Sequence, residues 1–173
     1  MLVARSLLLF WGRFSSASDQ IQGAFVAVVE LAQLPWSRMG TKIFVNLPVK
    51  DLTKSMAFFA ALGWTFNLQF TDETAASMII SDDIYAMLLT HAKFTSFTNK
   101  KIADSASAEA LIAISVDRKE DVNRIADAAI KAGGQEAKPP QDYGFMQLRS
   151  FLDLDGHHWE VLYMDPNYVQ PQS

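Results

Sequence analysis

Residues 42–63 read KIFVNLPVKDLTKSMAFFAALG. Ile43, Val45 and Leu47 alternate with Phe44 and Asn46, a period of two in β-branched and aromatic residues that marks a strand. Asp51 then stands where a helix needs an N-cap, ahead of LTKSMAFFAAL, and Gly63 supplies the stop. Working outward, WTFNLQF (64–70), TAASMIIS (74–81) and IYAMLLT (84–90) are three further strands, the last two divided by Asp82-Asp83 as a tight turn. The first half is therefore βαβββ.

The second half repeats the order. EALIAISV (109–116) is a strand, and in RKEDVNRIADAAIKAGG (118–134) Val122, Ile125, Ala126, Ala129 and Ile130 form one apolar stripe of a helix ended by Gly133-Gly134. QEAK (135–138), GFMQLRSFL (144–152) and HHWEVLYM (157–164) complete three strands, with Asp155-Gly156 at the turn. Matching Asn46 to Ile114 gives a shift of 68 residues and Leu88 to Glu160 a shift of 72, which reads as a tandem repeat.

Composition bounds what such a domain does. With 173 residues, half of them apolar, the chain buries one sizeable core. A net charge of −4 and the lack of any Lys/Arg-rich stretch give no footprint for a nucleic-acid backbone. The absence of cysteine removes disulfides and thiolate metal sites and suits a cytoplasmic protein. Residues 1–38 differ from the rest: arginines at 5 and 13 flank the short apolar run Leu7 to Trp11, and AFVAVVELAQLPW follows. They are expected to be a dispensable leader or upstream extension, with a secretory leader as the alternative and no run long enough to span a bilayer. The working domain is expected over 39–166, with module 1 at about 41–91, module 2 at about 108–165 and a tail at 167–173.

The phrases LPVKDLTKSMAFFAALG (47–63), IAISVD (112–117) and DLDGHHWEVL (153–162) resemble the glyoxalase/bleomycin-resistance/extradiol-dioxygenase group, the vicinal oxygen chelate superfamily, over roughly residues 41–166. The resemblance implies an α+β fold in which two tandem βαβββ modules form a curved mixed sheet around a cup-shaped cavity, helices outside. It also implies a metal ligand on the first and last strand of each module. Those four places fall on Phe44, Leu88, Leu111 and Glu160, so only one retains a ligand side chain. No metal and no other cofactor is expected.

Strand alternation gives a compatible register. If Glu160 faces the cup, His158 and Leu162 do too, while Trp159, Val161 and Tyr163 face the helices. Phe44 and Asn46, Leu111, Ala113 and Ser115, and Ala86, Leu88 and Thr90 then line the cup, and Tyr85, Met87 and Leu89 lie on the helix side. His157 is read as a surface residue after the turn. His158 adds one donor beside Glu160, two short of the usual four for a first-row metal. AKPPQDYGF (137–145), bringing Tyr143 and Phe145, is a candidate rim or lid and equally an ordinary connection; Arg149 either steers an anionic substrate or pairs with a surface acid.

Two functions of different class stay open. One is a metal-independent binding module for a small, largely apolar molecule, with Phe44, Asn46, Leu88, Thr90, Leu111, Ser115, Tyr143, Phe145, Arg149 and His158 around it. The other is a glyoxalase- or isomerase-type enzyme, akin to a lactoylglutathione lyase, with Glu160 as general base; it lacks an evident electrophile. A homodimer is expected by analogy.

Overall fold

The computed structural model describes residues 40–169. The leader expected at 1–38 lies outside them, as does the end of the tail. The elements run β1 (Ile43–Val49), α1 (Leu52–Ala61), β2 (Thr65–Asn67), β3 (Ala75–Ile79), β4 (Ile84–Thr90), α2 (His91–Thr95), β5 (Leu111–Ser115), α3 (Lys119–Lys131), β6 (Gln135–Asp142), β7 (Met146–Leu152) and β8 (His158–Met164). They build two four-stranded sheets, ordered β1-β4-β3-β2 and β5-β8-β7-β6. In each sheet the first strand runs parallel to the last and the remaining pairs are antiparallel. The α+β repeat of βαβββ modules is thus present, as two mixed sheets that do not close into one.

Local chemistry sets the element ends. The Asp51 carboxylate accepts from the Lys54 N–H at 3.1 Å, satisfying one of the free donors of α1. Gly63, at φ +102°, ends that helix with its N–H on the Ala60 carbonyl, a backbone turn that side-chain-bearing residues rarely adopt. In α3 the buried residues are Val122, Ile125, Ala126 and Ala129, the expected stripe, while Ile130 lies at its exposed margin.

The helix sides of both sheets share one core. Phe59 and Trp64 of module 1 pack on Trp159 of module 2 at centroid distances of 5.3 and 5.4 Å, and Phe58 meets Phe151 at 6.2 Å. A Cβ on Gly134 would stand 2.7 Å from the Leu152 carbonyl and 3.2 Å from the Phe58 ring, so close approach here needs glycine.

Three segments depart from the sequence reading. β2 is only three residues, giving way to a 3-10 turn at Leu68–Phe70. β6 is longer than expected and carries Pro139-Pro140, which the sequence places in a connection after the strand, either a rim or an ordinary loop. It pairs on one side only, with β7, and has irregularities between Glu136 and Lys138 and between Lys138 and Gln141, where missing N–H donors are tolerated. Thr90, expected in the cup, instead caps α2, its hydroxyl accepting from Lys93 N–H at 3.4 Å.

Candidate functional site

Residues paired across adjacent strands share a face. In module 2, Leu111 pairs with His158, Ala113 with Glu160 and Ser115 with Leu162, while β7 adds Leu148, Ser150 and Leu152 to the same face. The opposite face carries Ile112, Ile114, Phe151, Trp159 and Val161 into the core. This is the register read from alternation.

In module 1 the β4 reading was one residue out. Leu88 pairs with Leu47 and Ala76, is fully buried and belongs to the core beneath the helices. It lines no cup. The face away from that core instead carries Phe44, Asn46 and Pro48 on β1, Tyr85, Met87 and Leu89 on β4, and Ser77 on β3, with Pro48, Leu89 and Ser77 themselves buried. The structural shifts between modules are accordingly 67 residues, Asn46 to Ala113, and 73, Met87 to Glu160, rather than 68 and 72.

The two outward faces differ in chemistry. That of module 1 presents an aromatic stack, Phe44 on Tyr85 at 4.9 Å and 12°, with Lys42 Nζ 5.4 Å from the Tyr85 ring centre. That of module 2 presents His158 and Glu160, with side chains 13% and 20% exposed and Nε2 and Oε1 3.9 Å apart. This exceeds hydrogen-bond length, and His158 Nε2 is buried with no hydrogen-bond partner among the described residues.

Several expected site residues lie elsewhere. Arg149 points to the helix side, where its guanidinium holds Asp127 at 2.6 Å and Glu136 at 3.3 Å. Its pairing opposite Val161 is regular, so the surface-acid alternative applies and the substrate-steering one does not. Phe145 stacks on Tyr168 at 4.0 Å and its carbonyl accepts from Asp165 N–H, committing it to the chain segment after β8; Tyr143 is an exposed turn residue.

His157 is the largest correction. It is 6% exposed, not a surface residue. Its Nε2 meets the Pro48 carbonyl of β1 at 2.9 Å and its Nδ1 meets the Glu109 carboxylate. Beside it, Asp153 accepts from the backbone N–H groups of Asp155 and His157 at 3.0 Å each and from Trp159 Nε1 at 3.1 Å. Asp155 reaches across to Lys50 N–H at 2.8 Å and Ser55 Oγ at 2.9 Å. The DLDGHHW turn is therefore a clasp between modules. Burial raises the Asp153 pKa above the usual carboxylate range. Burial pushes the His157 imidazole down, but the charge of Asp153, the Pro48 carbonyl and Glu109 outweigh it and hold the ring above its ordinary value.

A model of the glyoxalase/bleomycin resistance protein/dioxygenase superfamily matches residues 43–161, both modules together. The chain belongs to that superfamily. Among solved structures, hypothetical protein SA1046 from S. aureus is 26% identical with TM-score 0.62, covering 75% of this chain and 98% of its own. A glyoxalase/bleomycin resistance protein/dioxygenase family enzyme from Burkholderia phytofirmans PsJN is 17% identical with TM-score 0.60, covering 72% and 99%. The fosfomycin resistance protein FosX from Mesorhizobium loti, at 19% identity and TM-score 0.53, covers 72% and 92%, and these last two likenesses concern the fold alone. No curated protein matches the sequence.

The superfamily's four ligand places, corrected for the β4 register, hold Phe44, Met87, Leu111 and Glu160. Among the described residues no three His, Asp or Glu side chains gather as a metal set. A thioether, two hydrocarbons and one carboxylate do not fit a hard or borderline divalent ion, even with His158 added.

Proposed function

We propose that this superfamily member binds a small, largely apolar molecule against the outward faces of its sheets, with His158 and Glu160 as the polar handle and without a four-ligand metal centre. The observation that carries the reading is the His158–Glu160 pair: two ionisable side chains on a face otherwise made of leucine, alanine and serine, with His158 Nε2 lacking a hydrogen-bond partner among the described residues. A few convergent polar groups on apolar walls are the usual recipe for a ligand site. Phe44 and Tyr85 offer a flat apolar platform on the other sheet. A lyase or isomerase reading with Glu160 as base finds less support, because Arg149, the cation on the neighbouring strand, faces away and is already paired.

Ile43, Phe44 and Leu111 are 54%, 52% and 57% exposed, and we extend the proposal to a second copy of the chain covering the edge strands β1 and β5. Light scattering that gives a monomer mass at micromolar concentration would remove that part alone.

Metal analysis of tag-free protein purified without chelator tests the central claim. The expected result is substoichiometric metal and a melting temperature indifferent to zinc, nickel, manganese or a chelator. Stoichiometric metal lost on His158→Ala with Glu160→Ala would overturn it. Glu160→Gln should keep the unfolding free energy to within about 1 kcal/mol, since His158 Nε2 lies beyond hydrogen-bond length. It should also change the melting shifts seen across a panel of apolar cations and their neutral analogues; an identical panel response would remove Glu160 from the site.

A further inference from the structure

The clasp residue His157 has a hydrogen-bonding problem with one economical solution. A neutral imidazole has one N–H and one acceptor nitrogen. Here both ring nitrogens face acceptors: Nε2 the Pro48 carbonyl, which accepts only, and Nδ1 the Glu109 carboxylate. A neutral ring would leave a lone pair aimed at an oxygen in a site that is 6% exposed. A doubly protonated ring donates to both.

We infer that His157 is an imidazolium that locks the C-terminal end of β1 to the β7–β8 turn, and that loss of its proton loosens the joint between the modules. The charged groups on the elements packed around the ring agree. Asp153 and Asp155 lie on its own turn and Glu109 on the segment before β5; at the module 1 end stand Lys50, whose N–H is held by Asp155, and Asp51, which is engaged by Lys54. Asp153 accepts three N–H bonds and donates none, the pattern of an ionised carboxylate, so a negative charge adjoins the ring. The raised His157 pKa points the same way.

The sign follows from linkage. A histidine whose folded pKa lies above its unfolded value of about 6.5 stabilises the fold fully below that pH, and the contribution disappears as pH rises through the folded pKa. What the outward faces bind plays no part in this.

Nitrogen-15 NMR of the imidazole rings tests it, read against the ordinary imidazole value of about 6.5. The expected outcome is that His157 titrates above that value with both nitrogens protonated below its midpoint, and that Glu109→Gln lowers that midpoint by about 0.5 pH unit or more. Protection of the Lys50 amide against exchange, corrected for pH, should drop several-fold across the same midpoint. A midpoint at or below about 6.5, no response to Glu109→Gln, or Lys50 protection that is flat through the titration would each overturn the inference. Because Glu109 is surface-accessible, that variant keeps the test usable even where His157→Gln fails to fold.

Discussion

β4 and β8 occupy the same place in their modules and carry opposite chemistry outward. Their helix sides agree: Ala86 and Leu88 in one, Trp159 and Val161 in the other, all fully buried. Their outward sides do not: Tyr85, Met87 and Leu89 against His158, Glu160 and Leu162. The turns entering them differ as strongly. Asp82 and Asp83 before β4 are exposed and bound to Lys42, whereas before β8 Asp153 and His157 are buried, and His157 and Asp155 hold the other module. The shared core constrains the inward positions of both copies, and the outward positions are left to diverge, so polar chemistry concentrates in module 2 while module 1 keeps an apolar platform.

The sharpest way to break this comparison is to place a carboxylate on each side of β4. Leu88→Glu puts an unpaired charge into the shared core, at 0% exposure, and should cost at least about 4 kcal/mol or prevent folding, whereas Met87→Glu should cost about 1 kcal/mol or less. Urea denaturation of the two decides the register; the reverse ranking would restore Leu88 to the outward face. Next in size, Trp159→Ala removes contacts with Phe59, Trp64 and Phe151 and the donor to Asp153, and should cost about 4 kcal/mol by the same measurement. A loss below about 2 kcal/mol would mean that the modules do not depend on a common core. Smallest of the three, Asp155→Ala should cost about 1–2 kcal/mol, since it strips partners from the Lys50 N–H and the buried Ser55 hydroxyl. No change in midpoint would show that the turn touches module 1 without holding it.

The legible parts of the fold were those whose signal is local. Asp51, Gly63 and the α3 stripe each act within a few residues of themselves, and β8 alternates polar with apolar so its register could be read directly. IYAMLLT could not be read this way, because both of its faces are apolar and alternation carries no parity. Pro139-Pro140 signals a loop unless a one-sided, irregular strand accommodates it, which depends on sheet order. His157 follows a turn, and turn-flanking residues are usually exposed; its true environment is made by Pro48, 109 positions earlier. His158 and Glu160 were found because their strand is legible, while the choice between Arg149's two roles stayed open because its partner, Asp127, sits on a helix 22 positions away.

The two prolines of β6 also direct how these sheets can grow. An incoming strand needs a row of free N–H and C=O groups, and β6, outermost on its sheet, breaks that row with two residues that have no N–H and with irregular pairing. At the corresponding margin of the other sheet, β2 offers only three residues before the 3-10 turn. Both outer margins are poor templates for cross-chain β-pairing, so aggregation by strand addition is discouraged there, and any extension of either sheet is channelled to β1 and β5.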